Sequence, residues 1–210
     1  MRRFLDAGLY FVTSETLSRG RSTPAIVADV LKAGVKLVQL REKDLSAREL
    51  TSLAREIRKM TRSAGALLII NDRLDIAMAV DADGIHLGRN DFPPAEARRL
   101  CPDMITGASS HSVSEALEAR ASGASYVNIG PLFPTRTKEW DADFLGLEGL
   151  RRISSAIDIP FTVMGGIKKE HIPDLLAAGA RTIALVTAVT QADDPCRAAR
   201  ELLESIKQEK

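Results

Sequence analysis

Short apolar segments rich in Val, Ile and Leu recur eight times along the 210 residues. They are LYFVT, KLVQLRE, LLIIND, GIHLG, TGASS, YVNIGPL, PFTVMGG and TIALVT. Their length and composition are typical of strands that are buried on both faces. Between them lie segments with helical spacing, such as ARELTSLAREIRKM, where one helix face carries Leu50, Leu53, Ala54 and Ile57. Strand therefore alternates with helix along the whole sequence.

Several helical segments are predicted to end at a glycine, directly before a strand begins. Gly34, Gly123 and Gly179 stand in KAGVKLV, EARASGASYV and LLAAGARTI, and we interpret them as left-handed helix caps. Such short connections favour parallel strands joined by helices. Eight strand–helix units predict an α/β protein, a single (β/α)8 TIM barrel domain over residues 1–210. A doubly wound open sheet is the alternative, but it more usually stops at five or six strands.

Charge and composition argue against several classes of function. The formal net charge of +1 gives little attraction for nucleic acid. The N-terminal segment MRRFLDAGLYFVTS has a short apolar run interrupted by Asp6 and Gly8, which predicts neither a signal peptide nor a membrane span. We expect a cytoplasmic protein without nucleic-acid or membrane partners, in which Cys101 and Cys196 remain ordinary thiols. The sequence leaves the formation of a homo-oligomer open.

The first candidate functional residues follow the second strand, since active sites of barrel enzymes lie at the carboxyl ends of the strands. In LVQLREKD, strand alternation places Gln39, Arg41 and Lys43 on one side and Glu42 on the other. Read alone, these charges would indicate a solvated strand edge. An inner barrel strand has no such edge, so we expect the two cations to face an anion at the barrel mouth.

Acidic residues follow the next two strands. IINDR places Asn71 and Asp72 at one strand end, and LGRND places Asp91 near the next. Carboxylates close to basic residues suit a hydrated Mg²⁺ that completes its shell with substrate phosphate oxygens. The structural alternative is that each aspartate caps the following helix, which Pro93 and Pro94 favour for Asp91.

The fifth strand ends in GASSHS, where Ser109 offers a hydroxyl donor and His111 is a candidate general acid or base. Ser112 and Glu115 form an S-x-x-E capping box, which predicts that this segment also begins a helix. The other histidines, His86 in a strand and His171 on a helix, are expected to be packed or solvated rather than catalytic.

Donor groups after the last three strands predict a phosphate site. A glycine pair in MGGI follows the seventh strand, and a short helical turn in VTAVTQADDP precedes the final helix. Backbone N–H groups at these places form the phosphate site that many barrels share. After the sixth strand, GPLFPTRTK presents Thr135, Arg136, Thr137 and Lys138 on an arm stiffened by prolines. We therefore expect substrates that carry more than one phosphate.

Together these motifs resemble the thiamine phosphate synthase family over essentially the whole chain. The motifs are QLREK, INDR, GPxFPTxTK and GGI, and their co-occurrence is far more specific than any one of them. The resemblance implies a phosphate-binding barrel that condenses 4-amino-2-methyl-5-hydroxymethylpyrimidine diphosphate with 4-methyl-5-(2-phosphoethyl)thiazole in its carboxythiazole phosphate form. The products would be thiamine phosphate and pyrophosphate.

The resemblance also implies roles for individual residues. The pyrimidine diphosphate would contact Gln39, Arg41, Lys43, Asn71, Ser109 and Lys138. One Mg²⁺ per site would be held by Asp72 and Asp91. The thiazole phosphate would contact Thr135, Arg136, Thr137, Gly166, Val186 and Thr187, the last of which keeps the hydroxyl of the serine that is common there. The catalytic residues would be Lys138, Arg41 and Ser109.

Departures from the family pattern are few, and two alternative functions compete with the synthase. Arg89 and Asn90 stand where glutamine and another residue are usual, and Met164 stands where a smaller residue is common. A thiazole tautomerase of the same fold would use a histidine near His111 for proton transfer. A noncatalytic sensor would only bind thiamine-pathway phosphates. The intact PTRTK arm and QLREK strand favour the synthase over the tautomerase, and the two acids favour it over the sensor.

Overall fold

The computed structural model describes residues 1–135 and 143–208. Its centre is a closed barrel of parallel strands, paired in the order β1-β2-β3-β4-β5-β6-β7-β8. The strands are β1 Leu9–Val12, β2 Leu37–Leu40, β3 Leu67–Asn71, β4 Gly84–Leu87, β5 Ile105–Ser110, β6 Tyr126–Ile129, β7 Phe161–Val163 and β8 Thr182–Leu185. Each predicted apolar segment overlaps one of these strands, so the predicted (β/α)8 barrel is confirmed.

Helices surround the barrel and connect its strands. The α-helices are α1 Arg2–Leu5, α2 Thr23–Lys32, α3 Ala47–Ser63, α4 Leu74–Ala79, α5 Pro94–Leu100, α6 Val113–Ala121, α7 Gly146–Ser154, α8 Ile172–Ala177, α9 Thr187–Thr190 and α10 Pro195–Gln208. Short 3₁₀ helices cover Glu15–Leu17 and Lys169–His171. Within the described part of the chain, none of the helices combines the length and the apolar character that crossing a bilayer requires. Cys101 and Cys196 are both free, as expected.

The structure contains the apolar face of α3 and the glycine caps that the sequence predicts. Helix α3 buries Leu50, Ala54 and Ile57 on its inner face, and the Ser46 hydroxyl at its start accepts a hydrogen bond from the Glu49 amide. The Glu49 carboxylate accepts one from the Ser46 amide in return, which satisfies two N–H groups that the first helical turn leaves open. The three predicted glycine caps all have the left-handed backbone, with φ of +98° at Gly34, +79° at Gly123 and +90° at Gly179.

Strand alternation divides the core into two layers. Outward side chains such as Val38 and Leu40 pack against the helices, whereas Leu37 and Ile69 point into the barrel. Three aromatic rings also pack inside the barrel. They belong to Phe4 of α1, Tyr10 of β1 and Tyr126 of β6.

The three rings close the amino end of the barrel. The Phe4 ring centroid lies 4.4 Å from that of Tyr126 and 5.8 Å from that of Tyr10. All three side chains are almost fully buried. Since this end is occupied by packed rings, the interior can receive a ligand only from the carboxyl ends of the strands.

We predict that Gly107→Ala destabilises the barrel, because Gly107 of β5 lies in register beside Tyr126 of β6. A β-carbon at Gly107 would overlap the ring and the hydroxyl of Tyr126. Overpacking of this kind costs about 1–3 kcal/mol, which urea unfolding would measure.

The matched control is the same substitution in a Tyr126→Leu background, where the ring is gone. There Gly107→Ala should cost much less, so the two substitutions should show a large coupling energy. Equal costs in both backgrounds would contradict the proposed collision.

Candidate active site

A cavity of about 230 Å³ opens at the carboxyl ends of the strands. It is lined by every described residue that the sequence assigned to the site. These are Gln39, Arg41, Lys43, Asn71, Asp72, Asp91, Ser109, Thr135, Gly166, Val186 and Thr187. Arg136, Thr137 and Lys138 lie outside the described residues. The structure thus brings together residues from seven of the strand ends or the loops that follow them.

The end of β2 has the predicted division of side chains. Gln39 is buried and donates a hydrogen bond from Nε2 to the Tyr10 hydroxyl at 2.7 Å, while Arg41 and Lys43 line the cavity above it. Glu42 faces away and accepts a hydrogen bond from the Thr23 hydroxyl at 2.7 Å. The pleat of the strand therefore sends the amide and both cations to the cavity and the carboxylate to the outside.

The two predicted acids lie side by side at the rim. The Asp72 carboxylate contacts the Lys43 ammonium group and the Asn71 amide. The Asp91 carboxylate accepts a hydrogen bond from the Gly88 amide at 2.6 Å. Partial burial raises the pKa of Asp91, and the neighbouring Asp72 carboxyl raises it further. Two carboxylates held this close, with one of them poorly solvated, favour a cation between or beside them.

Asp91 does not cap the following helix, so this prediction was wrong. Helix α5 begins after Pro93, without any hydrogen bond from a side chain to its first turn. The Asp91 carboxylate is turned back onto its own loop, where it binds the Gly88 amide. Asp72 does not cap α4 either, because its carboxylate is engaged by Lys43. Both acids are therefore left facing the cavity.

The donor set fits a small, hard cation. Among the described residues, no group of three or more His, Cys, Asp or Glu side chains is placed to hold a metal, so Asp72 and Asp91 stand as a pair. Mg²⁺ is usually bound by only one or two carboxylates, together with water and substrate phosphate oxygens. Lys43 already neutralises Asp72 in the structure, in the way that a bound cation would.

A chain of buried hydrogen bonds beneath the cavity was not anticipated from the sequence. The hydroxyls of Tyr10 and Tyr126 are 3.0 Å apart, and Tyr126 contacts His86 Nδ1 at 3.0 Å. His86 Nε2 lies 3.1 Å from the Ser109 hydroxyl. Burial lowers the pKa of His86 to about 4, so the imidazole is neutral near pH 7. Ser109 is thus oriented by a neutral ring rather than by a charge.

His86 is packed, as the sequence suggested, but it also lines the cavity. The signal that could have revealed it is its position as a polar side chain facing inward in GIHLG. Asn128 in YVNIG carries the same signal. Its amide accepts a hydrogen bond from the Thr162 hydroxyl at 2.9 Å and donates one to the Met164 sulfur at 2.6 Å. Met164, which departs from the family pattern, therefore forms part of the cavity wall.

The segment after β5 begins a helix, as predicted, but only one of the two hydrogen bonds of the capping box forms as expected. The Ser112 hydroxyl accepts from the Glu115 amide at 3.2 Å, which is the expected cap. The Glu115 carboxylate instead accepts from the His111 amide and lies 2.8 Å from His111 Nδ1. It also pairs with Arg89 at 3.2 Å. His111 lines the cavity with one ring nitrogen held by this carboxylate.

The glycine pair after β7 allows a close backbone approach, and the approaching group is the arm of this same chain. Gly165 and Gly166 have φ of +97° and +63°. A β-carbon on Gly166 would lie 2.6 Å from the Phe133 carbonyl oxygen. The Phe133 amide donates to the Gly165 carbonyl at 3.0 Å, and the Phe133 ring stacks on His171 at 4.0 Å. The base of the arm is therefore fixed, which brings Thr135 to the cavity.

Comparison with known proteins gives a consistent result. A family model described as thiamine monophosphate synthase matches residues 9–189. A thiamine-phosphate synthase of Chloroflexus aurantiacus is 48% identical over 98% of this chain and 96% of its own length. One of Moorella thermoacetica is 45% identical over 94% of this chain and 95% of its own.

A solved structure agrees with the sequence relatives. The thiamine phosphate pyrophosphorylase of Pyrococcus furiosus is 36% identical and superimposes with a TM-score of 0.90. The match covers 100% of this chain and 99% of that one. Sequence identity at this level over nearly the whole length, together with the matching barrel, shows that the chain belongs to the thiamine monophosphate synthase family.

Proposed function

We propose that this chain condenses 4-amino-2-methyl-5-hydroxymethylpyrimidine diphosphate with 4-methyl-5-(2-phosphoethyl)thiazole, in its carboxythiazole phosphate form, to give thiamine phosphate and pyrophosphate. The observation that carries the proposal is the convergence on one cavity of Arg41 and Lys43, the acid pair, the glycine turn and Thr135 at the start of the threonine arm. The relatives are synthases, and they support neither a tautomerase nor a noncatalytic sensor. The cytoplasmic location is likewise our proposal.

The distribution of charge in the cavity suggests how the first substrate binds. The deep part is formed by Tyr10, Gln39 and neutral His86, which suit an uncharged heteroaromatic ring with polar edges. Arg41 and Lys43 lie nearer the mouth and suit the diphosphate. We therefore assign the ring to the barrel interior and the diphosphate to the rim, beside Asn71 and the acid pair.

The second substrate is assigned to the opposite side of the mouth. Gly166, Val186 and Thr187 line that side, and the fixed base of the arm directs Thr135 towards it. Arg136 and Thr137 follow on the same arm. These groups offer backbone N–H and hydroxyl donors to a phosphate, without the acids that would repel it.

The reaction needs little proton transfer. The bond between the pyrimidine methylene carbon and the diphosphate oxygen breaks, and its electron pair leaves with pyrophosphate. The thiazole nitrogen lone pair then forms the new bond to that carbon. The carboxylated form also loses CO₂, and the ring carbon that carried the carboxylate takes up a proton from water. Arg41, Lys138 and Ser109 stabilise the growing charge on the leaving group, since fixed donors in a water-poor cavity are strong. Thiazole binding aligns the attacking nitrogen.

Asp72 and Asp91 are the residues that would hold one Mg²⁺. When bound, the ion supplies positive charge to the diphosphate oxygens and so makes pyrophosphate a better leaving group. The carboxylates themselves fix where that charge is placed. Asn71 contributes by holding the Asp72 carboxylate through its amide.

The direct test is to incubate the purified chain with both substrates and Mg²⁺. Mass spectrometry should detect thiamine phosphate, and excess EDTA should abolish it. Asp72→Asn and Asp91→Asn should each lower turnover on the order of a hundredfold, since each removes a charge that places the cation. Without metal, Asp91→Asn should leave the melting temperature unchanged or raise it, because it relieves repulsion from Asp72.

Asp75→Asn is the matched control, because Asp75 of α4 pairs with Arg73, which precedes that helix, and does not line the cavity. It should keep normal turnover and metal dependence. Full activity of the Asp72→Asn, Asp91→Asn double variant in EDTA would refute the metal site.

His111→Asn is expected to keep turnover within about threefold, because coupling needs no general base. The geometry supports a structural role, since Glu115 binds both the amide and Nδ1 of His111. Turnover should be compared at equal folded fraction, as judged by circular dichroism. A loss of about a thousandfold in a folded variant would instead indicate proton transfer by His111.

Lys138→Ala should lower turnover by about a hundredfold to a thousandfold with a smaller effect on thiazole phosphate affinity, because Lys138 is assigned to the leaving diphosphate. Thr137→Val should mainly raise the Michaelis constant for thiazole phosphate, as loss of uniform binding does. Steady-state kinetics with each substrate varied would separate the two effects.

Lys168→Ala removes an exposed lysine that does not line the cavity, and it should leave all constants unchanged. The reverse pattern, with Lys138→Ala acting on thiazole affinity and Thr137→Val on turnover, would show that the two roles are wrongly assigned.

A further inference from the structure

We infer that Arg21 is a positioning residue for the thiazole phosphate side of the cavity, acting through α9. Arg21 lies in the loop between β1 and α2, away from the cavity lining. Its guanidinium group binds the last residue of α9 and the segment after it, and α9 begins with Thr187. The inference rests on the proposed assignment of Val186 and Thr187 to the thiazole phosphate.

The Arg21 side chain donates four hydrogen bonds to backbone carbonyls. Nη2 donates to the Thr190 carbonyl at 2.9 Å and to the Ala192 carbonyl at 2.7 Å. Nη1 donates to the Asp193 carbonyl at 3.3 Å, and Nε donates to the Ser18 carbonyl of its own loop at 3.1 Å. We call this set of contacts, from Arg21 to residues 18, 190, 192 and 193, the α9 clasp.

Helix α9 needs such support because it is a single turn. It covers Thr187–Thr190, and an isolated helix of this length is not stable in water. Its own hydrogen bonds run from the Thr190 amide to the Val186 carbonyl at 2.9 Å and from the Gln191 amide to the Thr187 carbonyl at 3.1 Å. The last carbonyls of a helix lack internal partners, and a cation at that end is favourable. Arg21 supplies both the missing donors and the charge.

A second contact holds α9 to the same loop. The Thr190 hydroxyl donates to the Leu17 carbonyl at 2.8 Å, and Thr190 is fully buried. The loop itself is braced by the Ser18 hydroxyl, which donates to the Ser14 carbonyl at 2.6 Å. The carboxyl end of α9 is therefore attached to the β1–α2 loop by a buried hydroxyl and by the α9 clasp.

The same turn carries the residues assigned to the phosphate. Val186 immediately precedes α9 and Thr187 begins it, so only one turn separates them from the carbonyls that Arg21 holds. A displacement of the clasped end would move the Thr187 hydroxyl and so weaken the hydrogen bond that we assign to it with the thiazole phosphate. Residues for the pyrimidine diphosphate lie on other strand ends and would not move with α9.

Arg19 provides a matched control in the same loop. It donates to the Gln191 carbonyl at 3.0 Å and pairs with Asp193 at 2.5 Å, so it contacts the same segment. Its side chain is 55% exposed, however, and that of Asp193 is 94% exposed. Surface pairs of this kind contribute little. Substitution of Arg19 removes the same charge from the same loop without opening the α9 clasp.

The test compares Arg21→Met, Arg21→Lys and Arg19→Met in steady-state kinetics with each substrate varied. Arg21→Met should raise the Michaelis constant for thiazole phosphate by about tenfold, the loss expected for charge-assisted hydrogen bonds. The constant for pyrimidine diphosphate and the turnover should stay within about twofold. Arg21→Lys should lie between wild type and Arg21→Met, because an ammonium group replaces only part of the donor set. Arg19→Met should match wild type.

A fourth variant keeps the outcome clear. Thr190→Val removes only the hydroxyl that binds Leu17, so it should reproduce the selective effect at about threefold even if Arg21→Met fails to fold. Equal increases in both Michaelis constants, or no increase in a folded Arg21→Met chain, would overturn the positioning role alone. A wild-type chain that makes no thiamine phosphate would overturn the proposed function and this inference with it.

Discussion

Closure of the sheet by hydrogen bonds between β1 and β8 is the constraint on which the rest of the structure depends. Leu9 is in register with Ile183, and Phe11 with Leu185, so the first and last strands complete the ring. Closure leaves no strand edge and directs alternate side chains into a narrow interior. Because the strands are parallel, their carboxyl ends all meet at one rim. The rings of Phe4, Tyr10 and Tyr126 fill the other end, so a ligand can enter the barrel only from that rim.

The rim holds two neighbouring carboxyl groups that repel each other when both are ionised. The Asp91 carboxyl, partly buried and next to Asp72, has a raised pKa, while Lys43 is drawn onto Asp72. A divalent cation would attract both carboxylates and so offset their repulsion, and a polyanion would give Lys43 a second anionic partner. Below it, the chain from Tyr10 to Ser109 is uncharged and fully hydrogen-bonded. The charged and neutral parts of the cavity thus correspond to the two ends of the proposed first substrate.

Much of the fold and part of the site could be predicted because they depend on local rules. The eight apolar segments predicted the eight strands. Strand alternation alone predicted that Gln39 and Arg41 face the cavity and that Glu42 faces away from it. The failures arose where one side chain had several nearby partners. Pro93 and Pro94 favoured a capping role for Asp91, but its carboxylate accepts a hydrogen bond from the Gly88 amide. The sequence pattern does not distinguish this amide from the amides of the following helix. Strand alternation could have placed His86 in the barrel, but its hydrogen-bond partners Tyr126 and Ser109 lie 40 and 23 residues away, so only the folded chain reveals the contacts.

The packing of the arm against the glycine turn has a consequence for how the two segments evolve and for protein design. The Phe133 carbonyl oxygen would lie only 2.6 Å from a β-carbon on Gly166, and the Phe133 amide donates a hydrogen bond to the Gly165 carbonyl. Neither segment can be exchanged without the other, since a side chain at the turn would displace the arm. Transplanting the threonine arm into another barrel would therefore require its glycine turn as well, and homologues should gain or lose the two motifs as one unit.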